Sequence, residues 1–359
     1  MELPVLDETA VQIIATVVKF LVVLVAVLHI PPVMIWVERR APALMQRRRG
    51  PNRVGFFRWR LWGLLQTLAD AVKLIFKEES VPGSAYRGFF HLAPLIGLIP
   101  TLLFVCSIPF GPGIEIGGWK ISLSVIELDI GALFILAVTG IGVYGVTLAG
   151  WASNGKFSLL GSLRASAQMI SYEIPLGLSL IPLVLIYGSL NLQQLIYAQS
   201  AVWKWGIFLS PISFFIFLIC MFAETNRAPF DLSEGESELV AGFHTEYGSA
   251  KFALFFLSEY VAMFALSCLC SVLFFGGWQI PFLSHELLVS LLGVNLAALV
   301  GVAALLLKAA FFMWLYVWVR WTLPRFRYDQ LMNLGWKFLL PLGLANICVT
   351  ALVLAVMGA

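Results

Sequence analysis

Long apolar runs separated by short polar segments set the architecture of this chain. Eight runs occur, at roughly residues 11–36, 88–108, 128–151, 162–187, 205–223, 252–275, 287–319 and 335–356. Each can supply the roughly 20 apolar residues that cross a hydrocarbon layer of about 30 Å. Lipid satisfies no backbone polar group, so each run is expected to be a helix. The seventh is longer than one crossing needs and is expected to tilt or to begin later. A further segment has helical periodicity but is too polar to cross. In LWGLLQTLADAVKLIFKEE (residues 61–79), Gln66, Asp70, Lys73 and Lys77 share one face, while Leu61, Leu65, Leu68, Val72 and Ile75 line the other. That segment is expected to lie at the inner interface or against the bundle. The pattern predicts an all-α integral membrane protein. Eight transmembrane helices, plus an amphipathic interfacial helix between the first and second, make a single polytopic domain over 1–359. Residues 37–87 form an inner basic loop, 224–250 an inner acidic loop, and 108–118 and 275–281 outer loops.

Composition agrees with the pattern. The chain is 60% hydrophobic and 12% charged, with a mean hydropathy of +0.91, whereas a soluble domain carries about 25% charged residues. A soluble enzyme is excluded. The start, MELPVLDETA, is acidic and lacks the basic opening of a secretory signal, so the first run is expected to be retained. Of the 23 Lys and Arg residues, 19 fall in the segments after runs one, three, five and seven. The positive-inside rule then puts both termini outside and the acidic loop inside. The five cysteines form no CxxC pair and the four histidines are scattered. Cys268 and Cys270 alone make a poor metal site, so zinc, haem and iron–sulfur ligation are not expected, and buried apolar cysteine is the better reading.

Ionisable residues inside the runs are costly there and are the first candidates for function. Glu173, in QMISYEIPLG, lies about 16 Å from the inner end of the fourth run by the helical rise. Pro175 follows it and frees a backbone carbonyl. By the same rise Glu259 is about 10 Å deep and Lys308 about 18 Å from Arg320. Tyr172, Tyr144 and Gln168 add polar groups at related depth. Burial disfavours charge on carboxylates and amines alike, so such groups can exchange protons near neutral pH. The alternative is hydrogen bonding between helices. Midplane Glu and Lys are a costly way to join helices, which favours a water-filled proton path.

The acidic loop, AETNRAPFDLSEGESELVAGFHTEYG, holds six of the 20 acidic residues, opposed only by Arg227. Asp231 or Ser233 is a candidate helix N-cap with Glu234 or Glu236 three residues on. Glu234 and Glu238 would then share a face. Carboxylates so close cannot all ionise freely, so the loop could answer a nearby charge by protonation; a solvated acidic loop is the competing reading. On the same side, ERRAPALMQRRRGPNRVGFFRWR is a positive-inside anchor. Arg39, Arg40 and the aromatics Phe56, Phe57, Trp59 and Trp62 could also admit an amphiphile with a polar head and a long tail. GIGVYG (140–145) matches a dinucleotide fingerprint but lies mid-run after no strand, and close helix packing explains it better.

Several stretches together resemble the H-type membrane subunits of proton-pumping NADH–quinone oxidoreductase (respiratory complex I), the subunit 1 family of mitochondria. They are ERR (38–40), QRRRGPNRVG (46–55), ADAVKLIFKEE (69–79) and GWASNGKFSLLGSLRASAQMISYEIPL (150–176). ETNRAPFDLSEGESELVAGFHTEYG (224–248), FGGW (275–278) and LPRFRYDQLMNLGWKFLLPL (323–342) extend the resemblance over nearly the whole chain. It implies a place at the heel of the membrane arm, forming much of the quinone chamber and starting a path of buried glutamates. It implies chamber roles for Glu38, Arg39, Arg40, Phe57, Trp59, Asp70, Lys73, Glu234, Glu236, Glu238 and Glu246. Path roles fall to Glu173, Glu224, Glu259, Lys308 and Tyr172. It also implies quinone as substrate and no redox cofactor or metal on this chain. NADH, flavin and iron–sulfur clusters would sit in partner subunits. Those partners are the iron–sulfur and hydrogenase-like subunits of the peripheral arm, small membrane subunits and antiporter-like subunits. The expected location is a bacterial inner membrane, with an organelle inner membrane as the alternative. Two other readings stay open. A membrane subunit of a nickel–iron hydrogenase complex shares this architecture. A stand-alone cation transporter would predict repeats with broken helices, and no such repeat is visible.

Overall fold

The computed structural model describes residues 8–55, 61–233 and 235–358, with the side chains of 8–10, 236 and 237 excepted. Of the predicted site residues, Phe57, Trp59 and Glu234 lie outside the described residues, as does the Glu236 side chain.

The described residues are all-α apart from one hairpin. In order it forms α1 (Glu8–Met45), α2 (Leu65–Phe76), α3 (Arg87–Cys106), β1 (Ile114–Ile116), β2 (Trp119–Ile121), α4 (Gly131–Ala152), α5 (Lys156–Tyr187), α6 (Leu192–Ala198), α7 (Gly206–Leu209) and α8 (Pro211–Glu224). There follow α9 (Glu236–Leu239), α10 (Ser249–Phe274), α11 (His285–Leu292), α12 (Val294–Thr322), α13 (Tyr328–Asn333), a π-helical segment (Leu334–Leu339) and α14 (Leu340–Met357). Seven helices among the described residues are long and apolar enough to cross a membrane: Val11–Met45, Arg87–Cys106, Gly131–Ala152, Lys156–Tyr187, Ser249–Phe274, Val294–Thr322 and Tyr328–Met357. This is an all-α membrane protein.

The differences from the expected spans have physical causes. α1 runs past the predicted end at 36, through Glu38 and Arg40, where Tyr260, Arg320 and Arg227 meet the carboxylate and the Trp62 carbonyl meets the guanidinium. The seventh run breaks at Gly293, whose φ of +79° ends α11, so the long helix begins at Val294. The fifth run is divided at Ser210–Pro211 into α7 and the 14-residue α8. The last helix starts two turns early, at Tyr328. In the acidic loop the short helix starts at Glu236 behind Gly235, which makes no side-chain cap, so neither Asp231 nor Ser233 is its N-cap. The predicted outer loop at 108–118 carries half of the antiparallel hairpin, with Glu115 opposite Lys120.

α10 is the central helix, buried almost continuously from Tyr260 to Phe274. α3 and α4 touch through backbone: a Cβ on Gly145 would stand 2.6 Å from the Gly97 nitrogen. Gly145 thus serves close helix packing, as expected, while Gly140 faces the Glu173 carboxylate and a Cβ on Gly142 would meet nothing within 4 Å. Gly161 of α5 likewise admits Gly242 of the acidic loop, whose Cα lies 2.6 Å from the position a Cβ would take. The loop is thereby seated directly on the bundle. Cys106, Cys220, Cys268 and Cys270 are buried and free, while Cys348 is exposed.

Candidate functional site

Four elements converge on Glu38. α1 carries it, the turn after α8 brings Arg227, α10 brings Glu259 and Tyr260, and the last turns of α12 bring Arg320. Glu38 accepts from the Tyr260 hydroxyl at 2.6 Å, from Arg320 Nη1 at 3.0 Å and from Arg227 Nη1 at 3.4 Å. Arg227 also lies 3.6 Å from Glu259 Oε2 and stacks over the Tyr260 ring at 4.4 Å. Two guanidiniums thus meet two carboxylates, with Glu38 and Arg227 both more than nine-tenths buried. Desolvating so many charges is tolerable because each faces an opposite charge.

Beside this network is a cavity between α3, α4, α5, α8 and α10. It is lined by Thr101, Thr139, Glu224, Asn226, Ser258 and Glu259 among others, and about 70 Å³ of it is open to the centres of water molecules. One water needs roughly 10–15 Å³ by that measure, so a few fit. Glu224, the last residue of α8, is buried, and its Oε2 has no hydrogen-bond partner among the described residues. An unpaired buried carboxylate oxygen is costly, and a cavity water or a proton on the acid would satisfy it. Thr101, Thr139 and Ser258 already donate to backbone carbonyls. Each can still accept from water.

The other predicted path residues separate. Glu173, half-buried on α5, sets its carboxylate against α4, with Oε1 2.8 Å from where a Cβ on Gly140 would be. It is not among the residues lining the cavity. Tyr172, its neighbour, turns away and donates to the Leu331 carbonyl at 2.9 Å. Lys308 donates to the carbonyls of Phe275, Gly277 and Gln279 at 2.6–2.8 Å and sits 4.8 Å from the Trp205 ring. It holds the FGGW turn, away from the Glu38 network.

On the loop side, Arg39 pairs with Asp70 at 2.6 Å, and Gln66 donates to the same carboxylate, so the polar face of α2 turns to α1. Leu68, Val72 and Ile75 remain exposed. Arg40 donates to the Trp62 carbonyl at 3.0 Å, and Lys73 is exposed. Ser249 bonds the Leu74 and Lys77 carbonyls, and Lys251 pairs with Glu79, so the end of α2 is tied to the start of α10. The loop acids disperse. Glu238 pairs with Arg164 at 2.6 Å and Asp231 with Arg325 at 2.8 Å. Glu246 Oε1 lies near Gly155 at the start of α5, where a helix N-terminus favours negative charge. The sequence alone does not single out Arg227, Tyr260 or Arg320 as site residues. The one signal it offers is Arg227 as the lone cation among six acids.

His244 of the acidic loop is buried edge-on to Phe243, Phe252 and Phe256. Burial lowers its pKa from 6.5 to about 4, against an opposing pull from Asp231. Above pH 6.5 it is neutral in the folded and unfolded states alike. Below that the unfolded chain takes the proton first, so stability is lost as pH falls from 6.5 towards 4, by up to about 3 kcal/mol. The inactivation temperature should therefore fall between pH 7.5 and pH 5, and fall less in a His244→Gln variant. An equal fall in both would remove His244 as the cause.

Comparison with known proteins places the chain in a family. The NADH dehydrogenase family model matches residues 18–351. The first of the H subunits of NADH-quinone oxidoreductase in Cytophaga hutchinsonii is 49% identical over 317 residues, 88% of this chain and 89% of that protein. Subunit 8 of NADH-quinone oxidoreductase from Rhodothermus marinus is 48% identical over 332 residues, 91% of this chain and 93% of that protein. The second of the H subunits in Rhizobium meliloti is 45% identical over 335 residues, 93% and 96% of the two chains. With the match running from the first long helix to the last, the chain belongs to the NADH dehydrogenase family, as an H-type subunit of the membrane complex NADH–quinone oxidoreductase.

Proposed function

We propose that this subunit forms much of the quinone chamber and couples quinone reduction to proton translocation through buried carboxylates. α7 and α8 together make the eighth crossing: residues 206–224 rise about 28 Å. Both termini lie outside, and the membrane is the bacterial inner membrane. The chamber opens on the inner side, bounded by the basic loop (Glu38, Arg39, Arg40, Phe57, Trp59, Asp70, Lys73) and the acidic loop (Glu234, Glu236, Glu238, Glu246). NADH, flavin and iron–sulfur clusters belong to the peripheral-arm subunits, and the antiporter-like subunits receive the coupled signal. A change of charge in the chamber acts first on Glu38 and its two arginines, then on Glu259 and Glu224 across the cavity, and then on Glu173. At these separations in a low dielectric a unit charge acts with several kcal/mol. Tyr172 and Lys308 serve as groups that position α5 and the FGGW turn.

The observation that carries the reading is that Glu224, whose Oε2 has no hydrogen-bond partner among the described residues, lines the same cavity as Glu259, which is itself tied to Glu38 through Arg227. Photo-crosslinking with a quinone analogue in the native complex tests the chamber, and label is expected within residues 38–80. Label confined to other subunits would sink that assignment. A Glu173→Gln variant tests the inner end of the path. It should assemble and lose coupled pumping, and full proton transfer by that variant would remove Glu173.

A further inference from the structure

At the N-terminal end of α1 a groove opens between the helix and the β1–β2 hairpin, with about 680 Å³ open to water. Val11, Gln12, Ala15, Thr16 and Lys19 form one stripe of α1 along it. Trp119, Lys120, Ser122 and Glu127 face them from the hairpin and the segment after it. The far wall is anchored. Asn295 of α12 accepts from the Glu115 nitrogen at 2.7 Å and donates to its carbonyl at 2.8 Å. We propose that this groove is a headgroup site for a phosphatidylethanolamine-type phospholipid, with Lys19 and Lys120 on the phosphate and Glu127 on the headgroup ammonium.

Depth supports a lipid. Lys19 lies 17 residues before Trp36, about 26 Å along the helix. That places it close to one boundary of a hydrocarbon layer about 30 Å thick, if the inner boundary is near Trp36. Its ammonium reaches across to the Ser124 carbonyl at 2.7 Å. This uses one of three N–H donors and aims the group at the polar layer, as a snorkelling lysine does. Trp119 beside it is the residue type that marks this interface. Lys120 pairs with Glu115 at 3.5 Å, but Lys120 is 87% exposed there, so the pair is weak and the ammonium can turn into the groove. Below the groove, towards the membrane centre, Val18, Leu21, Val22 and Val25 are exposed on α1 and can take the acyl chains.

Charge selects the headgroup. Two ammonium groups and one carboxylate line the groove. A phosphate with a tethered ammonium matches all three: Glu127, which already faces Lys19 and accepts from Ser124 Oγ at 3.3 Å, gains a second cation from it and none from a phosphatidylglycerol headgroup. Neither lysine belongs to the Glu38 network or the cavity, so the site is separate from the chemistry proposed above and does not depend on it.

The test is photolysis of the whole purified complex in lipid nanodiscs with a photoreactive phosphatidylethanolamine, and peptide mapping of the label. Label is expected in peptides covering residues 11–19 and 118–127. Lys120→Gln, on an exposed strand and so tolerated by the fold, should lower it about tenfold or more, the loss of one charge-assisted bond. Lys19→Gln with Lys120→Gln should abolish it, with NADH-driven quinone reduction unchanged. Equal labelling by a phosphatidylglycerol analogue would overturn the proposal. So would label indifferent to both variants, or a neighbouring subunit found crosslinked into the groove.

Discussion

A complex carrying Glu224→Gln is expected to assemble and to pass electrons from NADH to a hydrophilic artificial acceptor, yet to lose proton translocation about 10²-fold or more. Gln is nearly isosteric with Glu, so the end of α8 and the Gln168 bond to the Ala223 carbonyl persist. What is lost is a group able to take and return a proton at the cavity wall. Proton-relay groups of this kind commonly contribute about 10²–10⁴-fold. The measurement is the rate of acidification of inverted membrane vesicles, set beside quinone reduction and artificial-acceptor activity in the same preparation. Undiminished acidification would mean that the unpaired oxygen of Glu224 serves only to bind structural water.

Glu38→Ala should have the larger effect on the subunit as a whole. It leaves Arg227, whose side chain is 7% exposed, and Arg320, 35% exposed, without their shared carboxylate, and strips the Tyr260 hydroxyl of its acceptor. Removing one partner of a buried ion pair costs about 3–5 kcal/mol. That is a large part of the stability of an ordinary domain. Subunit abundance in the membrane should fall severalfold, and quinone reduction should fall with it. Glu38→Gln keeps an acceptor for Tyr260 and is expected to be milder. Arg227 keeps Glu259 at 3.6 Å in Glu38→Ala, so adding Arg320→Met, which removes the charge whose carboxylate is lost, should restore part of the abundance, though not the activity. Full abundance and heat stability in Glu38→Ala alone would show that water, rather than Glu38, compensates the arginines.

Part of this site is legible from residue types. Glu224 and Glu259 are carboxylates in or at the edge of apolar runs, where lipid makes an unpaired charge so unfavourable that a partner or water must be near. Arg39 and Asp70 stand out in the sequence, but their pairing does not, because the two lie 31 residues apart with a loop between them. By spacing alone the acidic loop reads as a crowd of interacting carboxylates. In the structure Glu238, Asp231 and Glu246 face three different places: Arg164 on α5, Arg325 beyond α12, and the start of α5. Local spacing says which residues share a short helix, and not which cations the loop will reach once seated on Gly161. Tyr172 and Glu173 are adjacent in sequence, but a helix turns about 100° per residue. One faces α13 and the other α4.

Membrane character is a property of each segment taken alone. Whether about 20 residues leave water for lipid depends on their own composition and hardly on the rest of the chain. The order of the runs, the basic loop after the first of them and the all-α class are therefore readable before any contact is known. The network around Glu38 is of another kind. It joins residues 189, 222 and 282 positions away in sequence. Their meeting depends on how far α1 continues past Trp36, how α10 and α12 rotate about their axes, and where the chain turns after α8. These quantities come from helices packing against one another through many weak contacts, and no local pattern encodes them.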